Sequence, residues 1–376
     1  METKNSQDFI KDSIKDSIKD TFEEKRATEK IAFITGLTGQ DGSFLADFLL
    51  EKGYFVYGIV RRVSNINTQR INHLKSNPRF QFQFGNVEDF SSLQNMFFHI
   101  ESKHPNYKRL EVYHLAAQSH VKVSFEIPIE TTMSTALGTL NLLECIRNLQ
   151  LIPRIRFYNA ASSELFGKIQ KPRQDETTPF YPQSPYAIAK QCAFWTTKLQ
   201  REAYGMFACN GILFNHESRR RGYTFVTRKI TRFVGQTLST YPKIPAETMK
   251  IGNLEAMRDW SDARDMVRGM WMILQHDKPD DYVLSSDTNH SVREFIEIAF
   301  AKKGIKIQWE GVGLHEKGYD EVTGMLLIEV SEHYFRPAEV DVLLGDSTKA
   351  RNILNWHPEI TFDQMINDML EKDCSF

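Results

Sequence analysis

Between residues 30 and 210 the chain alternates short apolar runs with longer amphipathic segments. The run IAFITG ends at Gly36, DGSFLADFLLEKG follows with apolar positions at helical spacing, and YFVYGIV is again mostly apolar. The alternation continues through FQFQFGNV, LEVYHLAA and IRFYNAAS, each followed by a segment with helical spacing. Apolar runs of this length are typical of strands buried on both faces. The pattern predicts an α/β fold with a Rossmann-type, doubly wound parallel sheet.

The alternation breaks down after about residue 211, where arginine-rich loops are followed by helical patterns such as REFIEIAFAKKG and by shorter strands. We predict that residues 30–215 form a dinucleotide-binding domain, to which segments around 250–270 return. Residues 216–376 are then mainly a smaller, chain-discontinuous substrate-binding region. This region is expected to lie against the open end of the sheet.

Residues 1–29 are highly charged and contain the repeat KDSIKDSIKDTF, which places an apolar residue at every fourth position. A stripe at this spacing fits either an amphipathic helix that contacts a partner or a solvated extension. We predict a disordered extension.

The overall charge gives no reason to expect a nucleic-acid or membrane partner. The chain has 376 residues, and its 47 Lys and Arg against 48 Asp and Glu leave a formal net charge of −1. No apolar run approaches the roughly 20 residues that span a bilayer. The N-terminus METKNSQDF lacks the apolar core of a secretory signal, and the four cysteines show no C-x-x-C or zinc-like spacing. We therefore predict a cytoplasmic protein without a metal site, whose cysteines are buried small hydrophobic residues.

The first predicted strand leads into a glycine-rich turn, G-x-x-G-x-x-G, which opens a predicted helix. Glycines there allow a tight turn and a close approach of the backbone to a pyrophosphate, which the N–H groups at the helix N-terminus can bind. A purely structural turn is the alternative, but the position between strand and helix favours a dinucleotide. The predicted contacts in this turn are Gly36, Thr38, Gly39, Gln40, Asp41 and Gly42.

The second predicted strand ends in Arg61 and Arg62, where an NAD-binding protein usually has an acidic residue. Two guanidinium groups suit the 2′-phosphate of NADP, although solvated loop arginines are the alternative. We therefore predict NADP as the cofactor. Further cofactor contacts are predicted near the ends of the neighbouring strands, at Ser64, Asn86, Val87, Leu115, Ala116, Ala117 and Ser119.

Candidate catalytic groups follow the next strand and begin the next helix. Ser162, Ser163 and Glu164 end the run IRFYNAASSE, and Tyr186 and Lys190 form Y-x-x-x-K. Tyrosine and lysine four positions apart share one helical face. The sequence therefore predicts that the ammonium group lowers the pKa of the phenol and makes it a usable base.

These motifs resemble the extended short-chain dehydrogenase/reductases, and longer stretches are similar to the GDP-mannose 4,6-dehydratase family within them. The stretches are TGLTGQDGSFLADFLLEKGY, SSELFG, ETTPFYPQSPYAIAK, NGILFNHES, FVTRKITR, RDWSDARD, SVREF and YFRPAEVDVLLGD. The resemblance extends from about residue 30 to the C-terminus.

The resemblance implies an internal redox cycle that converts GDP-α-D-mannose to GDP-4-dehydro-6-deoxy-α-D-mannose and water, the first step towards GDP-L-fucose or GDP-D-rhamnose. Tyr186 would take the proton of the hexose 4-hydroxyl as hydride passes to NADP, with Ser162 bonded to the same oxygen. Glu164 would remove the C5 proton and help water leave from C6. The hydride then returns to C6.

The resemblance also implies further binding residues. Lys190, His216 and Arg221 match family positions at the cofactor. Matches to substrate positions are Ser163, Glu164, Asn215, Val226, Lys229, Gly252, Arg258, Arg336 and Glu339. A homodimer or homotetramer is implied, in which the segment after Arg62 reaches towards a neighbour's cofactor.

The chain departs from the family's usual residues at four positions: Ser162 for Thr, Asn86 for Asp, Arg219 for Pro and Asp262 for His. Serine keeps the hydroxyl but lacks the methyl group that restricts its rotamers, so we expect a slower enzyme. Asn86 keeps an acceptor for the adenine amine. For Arg219, tighter retention of NADP is one hypothesis.

Two alternatives stay open. A related epimerase or dehydratase acting on UDP or dTDP sugars would share the glycine turn and the Tyr–Lys pair, but such enzymes lack NHES and RKITR together. A non-catalytic NADP-binding interaction protein would engage a partner through the N-terminal repeat. It would be expected to have lost part of the catalytic set.

Overall fold

The computed structural model describes residues 29–64, 67–242, 247–334 and 342–375. The extension predicted for residues 1–29 lies outside the described residues except for its last position.

A seven-stranded parallel sheet forms the centre of the described chain. Its strands are β1 (Ile31–Thr35), β2 (Phe55–Val60), β3 (Phe80–Phe84), β4 (Leu110–His114), β5 (Ile155–Ser162), β6 (Phe207–Leu213) and β10 (Tyr282–Leu284). Their order in space is β3-β2-β1-β4-β5-β6-β10, and every neighbouring pair is parallel. The order reverses direction at β1, which confirms the predicted doubly wound, Rossmann-type sheet.

Helices cover both faces of this sheet. They are α1 (Gln40–Glu51), α2 (Phe90–Lys103), α3 (Val121–Glu126), α4 (Pro128–Thr132), α5 (Gly138–Asn148), α6 (Pro185–Tyr204) and α8 (Ala263–Gln275). On one face, Leu45 of α1 and Met270 of α8 are buried in one core cluster. On the other, Phe97 of α2 and Leu142 of α5 belong to a second core cluster. Burial on both faces explains why the strands read as continuous apolar runs.

A smaller part of the chain is built from two four-stranded sheets. One has the order β11-β9-β15, with β7 also paired to β9, and the other the order β12-β13-β14-β8. The strands are β7 (Asn215–Glu217), β8 (Met249–Ile251), β9 (Met257–Asp262), β11 (Asn289–Ser291), β12 (Ile307–Glu310), β13 (Lys317–Asp320), β14 (Leu326–Val330) and β15 (Val342–Leu343). The accompanying helices are α7 (Val226–Thr240), α9 (Val292–Ala301) and α11 (Phe362–Asp373), whereas α10 (Thr348–Leu354) packs against β10 of the main sheet. A separate apolar core joins α7, α9 and α11. We refer to this part as the small lobe.

Later segments of the chain return to the main sheet. Strand β10 adds to its edge, and α8 together with Leu354 and Trp356 packs into the core cluster of β1 and α1. The chain thus passes between the two parts more than once, and the predicted domain boundaries stay a prediction.

The cysteine prediction was wrong for two of the four residues. Cys145 and Cys209 are buried, but Cys192 is exposed and Cys374 is half-buried. Cys192 lies on the outward face of α6, between the exposed residues Ile188 and Trp195. None of the helices in the described ranges is long and apolar enough to cross a membrane.

Candidate active site

The glycine turn after β1 packs directly against the end of β4. Gly36 has a φ of +73°, and a Cβ there would lie 2.8–2.9 Å from backbone atoms of Leu115 and Ala116. At Gly42 a Cβ would overlap the carbonyl of Gly36. Both positions therefore require glycine.

Helix α1 begins at this turn without a side-chain cap. Its N-cap is Gly39, whose N–H donates to the Gly36 carbonyl at 2.9 Å but which has no side chain to satisfy the first helical N–H groups. Uncapped N–H groups at a helix N-terminus bind phosphate well. The turn thus fits the pyrophosphate of a dinucleotide.

Side chains from β7 and the loop after it fix the first residues of α1. The Gln40 amide donates to Asp41 Oδ1 and to the His216 carbonyl, each at 3.1 Å, and accepts from the Ser218 hydroxyl at 2.7 Å. His216 Nε2 lies 3.0 Å from Asp41 Oδ2, and its Nδ1 lies 2.7 Å from the Phe214 carbonyl. The predicted cofactor residues Gln40, Asp41 and His216 therefore lie together.

The pKa values of Asp41 and His216 are both shifted from their ordinary values. Burial alone would lower the pKa of His216, but the charge and hydrogen bond of Asp41 raise it above its ordinary value. Burial would raise the pKa of Asp41, but His216 and Arg221 lower it. Because both ring nitrogens face acceptors, the charged imidazolium is the favoured form.

The charge of Arg221 acts on both this pair and Tyr186. Its Nε is 3.1 Å from the buried carboxylate of Glu217, and its guanidinium stacks 3.7 Å from the centre of the Phe225 ring. Its charge lowers the pKa values of both Asp41 and Tyr186, so it is close to both. The sequence analysis missed Glu217, which also accepts from Thr227 at 2.6 Å.

The arginines after β2 are exposed. Arg61 lies 3.7 Å from Glu130, and Arg62 donates to the Val63 carbonyl at 3.0 Å and lies 5.3 Å from the centre of the Phe84 ring. Ser64 beside them is also exposed. These guanidinium groups have weak partners and can donate hydrogen bonds to a phosphate.

The ends of β3 and β4 are ordered by backbone contacts. Asn86 Oδ1 accepts from Glu88 N at 3.3 Å, and the buried Val87 follows it. The N–H groups of Leu115 and Ala116 donate to Thr35 Oγ1 at 3.2 and 3.3 Å. The chain continues through Ala117, which is half-buried, to Ser119, which is exposed.

The catalytic candidates Ser162 and Glu164 are adjacent at the end of β5. The Ser162 hydroxyl accepts from Glu164 N at 3.3 Å and begins a 3₁₀ turn over Ser163–Leu165. Ser163 and Glu164 are buried. A short turn of this kind holds the Glu164 carboxylate in a fixed place relative to the Ser162 hydroxyl.

Tyr186 and Lys190 share one buried face of α6. The Ser184 hydroxyl caps this helix by accepting from Ala187 N at 3.1 Å, and Pro185 occupies its first turn. Lys190 Nζ donates to the Ala160 carbonyl of β5 at 2.6 Å and lies 6.0 Å from the centre of the Tyr186 ring. Tyr186 hydrogen-bonds Ser162. The structure thus brings Ser162, Glu164, Tyr186 and Lys190 together.

The predicted direction of the Tyr186 pKa was wrong for this structure. Burial raises it to about 12; the hydrogen bond with Ser162 and the charge of Arg221 lower it, and the charge of Glu164 raises it further. Burial lowers the pKa of Lys190 itself to about 8. Loss of hydration thus outweighs the nearby positive charges.

The predicted substrate residues lie mostly in the small lobe. Val226 and Lys229 are in the first turn of α7, Asn215 begins β7, and the buried Arg258 donates to the Met257 carbonyl at 2.8 Å. A Cβ on Gly252 would lie 3.0 Å from the Tyr334 carbonyl, so glycine lets this segment pack closely. Arg336 and Glu339 lie outside the described residues.

Two departures from the family pattern have a structural account. Asp262 is fully buried and caps α8, accepting from Arg264 N at 2.8 Å and pairing with the Arg264 guanidinium. Arg219 is half exposed and lies 3.6 Å from Asp368 of α11.

A family model described as GDP-mannose 4,6 dehydratase matches residues 33–369. The chain belongs to this family. Two curated relatives are a GDP-mannose 4,6 dehydratase 2 of Caenorhabditis elegans, 49% identical over 92% of this chain and 89% of the relative, and a GDP-mannose 4,6-dehydratase of Sinorhizobium fredii, 50% identical over 92% and 97%.

Solved structures of lower identity share the fold. The RMD protein of Pseudomonas aeruginosa, complexed with NADPH, has a TM-score of 0.70 and 20% identity over 92% of this chain and 99% of that one. The dTDP-glucose 4,6-dehydratase of Bacillus anthracis, complexed with NAD, has a TM-score of 0.72 and 17% identity over 91% and 96%. At these identities the likeness shows the fold alone.

Proposed function

We propose that this chain converts GDP-α-D-mannose to GDP-4-dehydro-6-deoxy-α-D-mannose and water, as a hydro-lyase with NADP. The observation that carries the proposal is the placement of a buried carboxylate, Glu164, beside the Ser162–Tyr186 pair. Oxidation at C4 alone needs only the hydroxyl pair and Lys190. Elimination of water needs a further acid–base group, and Glu164 is in position to supply it.

Each catalytic side chain then has one task. Tyr186 accepts the proton of the hexose 4-hydroxyl in its phenolate form, which its raised pKa of about 12 makes strongly basic, and Ser162 donates a hydrogen bond to the same oxygen. The resulting 4-ketone acidifies the C5 proton, which Glu164 removes, and Glu164 passes a proton to the 6-hydroxyl so that it leaves as water. Lys190 holds the end of β5 against α6 through its bond to Ala160. When bound, the dinucleotide supplies the hydride acceptor for C4 and the hydride donor for C6. As C6 gains its hydride, Tyr186 returns to C5 the proton that it took from the 4-hydroxyl, which completes the product and restores the side chain.

NADP is preferred over NAD because of the charges after β2. Arg61 and Arg62 are exposed, carry no strong ion pair and lie where the adenosine ribose of a dinucleotide is held in this fold. The test is to denature the purified protein and identify the released cofactor by chromatography. NADP or NADPH supports the proposal, and NAD contradicts it.

We also propose that the chain forms a homodimer through α4, α5 and α6. Ile129, Met133, Leu137 and Leu140 form one exposed apolar stripe, and Ile188, Trp195 and Leu199 form another on α6. Contiguous exposed apolar side chains on packed helices are typical of interfaces between subunits. Light scattering should give a dimer or a tetramer for the unaltered chain, and Leu199→Glu should lower the mass; a monomeric unaltered chain contradicts the proposal.

The activity is tested with GDP-mannose and no added cofactor, followed by mass spectrometry. Loss of one water is expected, since the dinucleotide is restored in each cycle and stays bound. Consumption of UDP-glucose or dTDP-glucose instead would favour the related sugar-nucleotide enzymes. No reaction with any of the three, even with added NADP, would favour a non-catalytic protein.

A further inference from the structure

Two lysines from different parts of the chain converge on one aromatic ring. Lys122 lies in the first turn of α3, just beyond the carboxyl end of β4, and Lys229 lies in the first turn of α7 in the small lobe. Their ammonium groups lie 5.8 and 3.6 Å from the centre of the Tyr334 ring. The two lysines therefore lie where the main sheet meets the small lobe.

Neither ammonium has a carboxylate partner within the described part of the chain. Lys122 Nζ donates to the His333 carbonyl at 2.6 Å, and Lys229 Nζ donates to the Lys250 carbonyl. A carbonyl supplies only a partial negative charge, and each ammonium has three N–H donors. Both lysines therefore keep donors for a further acceptor. Both side chains are half-buried and Tyr334 is exposed, so an incoming anion can reach them.

We propose that Lys122 is a second cation for the diphosphate of the nucleotide sugar, acting together with Lys229. This inference rests on the proposed function and adds a residue to the substrate site. A diphosphate carries several negative oxygens, and ammonium groups on its two sides bind it as charge-assisted donors. The carboxyl ends of parallel strands, where α3 begins, are where ligands bind in this fold. Lys122 also links the main sheet to the small lobe.

The test compares GDP, GMP and guanosine as calorimetric ligands of the full chain with its retained cofactor. Lys122→Met is expected to weaken binding of GDP by about ten-fold or more, because it loses a charge-assisted bond to the diphosphate. Binding of guanosine should stay within about two-fold of the unaltered chain. Lys122→Arg should restore most of the GDP affinity. Lys278→Met, which changes an exposed lysine before β10, is the matched control and should change nothing.

Several outcomes would overturn the inference. If Lys122 only holds the His333 carbonyl, Lys122→Met weakens guanosine and GDP by the same factor. An unchanged GDP affinity also contradicts it. If the unaltered chain binds UDP or dTDP but not GDP, the proposed function fails while the same comparison, made with that nucleotide, still tests Lys122. If it binds no nucleoside diphosphate, both proposals fail. Retained cofactor and an unchanged melting temperature show that the variants fold.

Discussion

The turn after β1 and the place where Lys122 and Lys229 meet at Tyr334 differ in how their polar groups are satisfied. In the turn, Gln40, Asp41 and His216 each have protein partners, and the backbone is held by glycines that tolerate no Cβ. Where the main sheet meets the small lobe, two ammonium groups donate to carbonyls beside an exposed ring and have no carboxylate partner among the described residues. The first region is prepared in advance and suits a cofactor that stays bound. The second suits a charged substrate that enters and leaves.

The largest expected effect is at the buried catalytic candidates, which, like the turn, are held by contacts within the protein. Tyr186→Phe removes the proton acceptor of the first step, and kcat should fall by about 10²- to 10⁴-fold. Deuterium placed at C4 of the hexose should no longer appear at C6. Tyr204→Phe, on the exposed end of the same helix, is the control and should transfer deuterium normally. Transfer in the Tyr186 variant would exclude Tyr186 as the base.

Glu164→Gln should reduce the elimination step by a similar factor, about 10²- to 10⁴-fold, because an amide cannot take the C5 proton. Retained NADP and the affinity for GDP should stay close to those of the unaltered chain. Water loss is measured by mass spectrometry, and Glu202→Gln on α6 serves as the control. Near-normal turnover would remove Glu164 from its proposed role.

Two glycine substitutions test whether the turn after β1 has room for a Cβ. Gly36 and Gly205 both have positive φ, but a Cβ on Gly36 meets the β4 backbone, whereas a Cβ on Gly205 has nothing within 4 Å. Gly36→Ala should destabilise the fold by about 2–5 kcal/mol and lose the cofactor. Gly205→Ala should cost about 1 kcal/mol. Melting temperature and cofactor content check this, and equal effects would contradict a crowded turn.

The Asp41–His216 pair predicts a pH dependence. Because the folded-state pKa of His216 is raised, its stabilisation is complete below the ordinary value of 6.5 and is lost as the pH rises through the raised value. Asp41, whose pKa is lowered, loses its contribution only as the pH falls below 3.8 through the lowered value. The melting temperature should thus fall above pH 6.5, and Asp41→Asn should flatten this slope.

Glu294→Gln, which breaks the more exposed pair with His290, is the control for the pH series. It should leave the slope above pH 6.5 unchanged. The same slope in Asp41→Asn as in the unaltered chain would show that the pair does not titrate as described.

The smallest effect is expected at Arg219, which carries the hypothesis of tighter NADP retention. Its guanidinium is half exposed and lies 3.6 Å from Asp368. Arg219→Ala should therefore change stability by no more than about 1 kcal/mol and leave the rate of NADP loss unchanged. Arg221→Ala, which removes the guanidinium whose charge acts on Asp41 and Tyr186, should speed that loss. Faster loss from Arg219→Ala or Arg219→Pro would favour the hypothesis.

Local patterns predicted the parts of the site that are local in the chain. The glycine turn follows β1 directly, Ser162 and Glu164 are two positions apart, and Tyr186 and Lys190 are one helical turn apart. Each motif fixes its own geometry through backbone conformation. The alternation of apolar runs with helical patterns predicted the parallel sheet for the same reason. Strand β10 was not predicted as part of it, because a three-residue strand carries little periodic signal.

Contacts between residues that are far apart in the chain could not be predicted from local patterns. Lys122 and the His333 carbonyl are 211 positions apart, and the His216 ring and the Asp41 carboxylate are 175 positions apart. The direction of the Tyr186 pKa was wrong because burial, which depends on everything packed around the phenol, outweighs the lysine that the motif supplies.

The sequence by itself determined the fold class, the glycine turn and the four catalytic candidates, because each depends on spacing within one or two elements. Only the tertiary structure decided which charges are neutralised and which remain available. It brought Asp41, His216 and Arg221 into one electrostatic network and left Lys122 and Lys229 without a carboxylate partner among the described residues. Electrostatic energy depends on distance and on exclusion of water, and both are set by chain segments far apart in sequence.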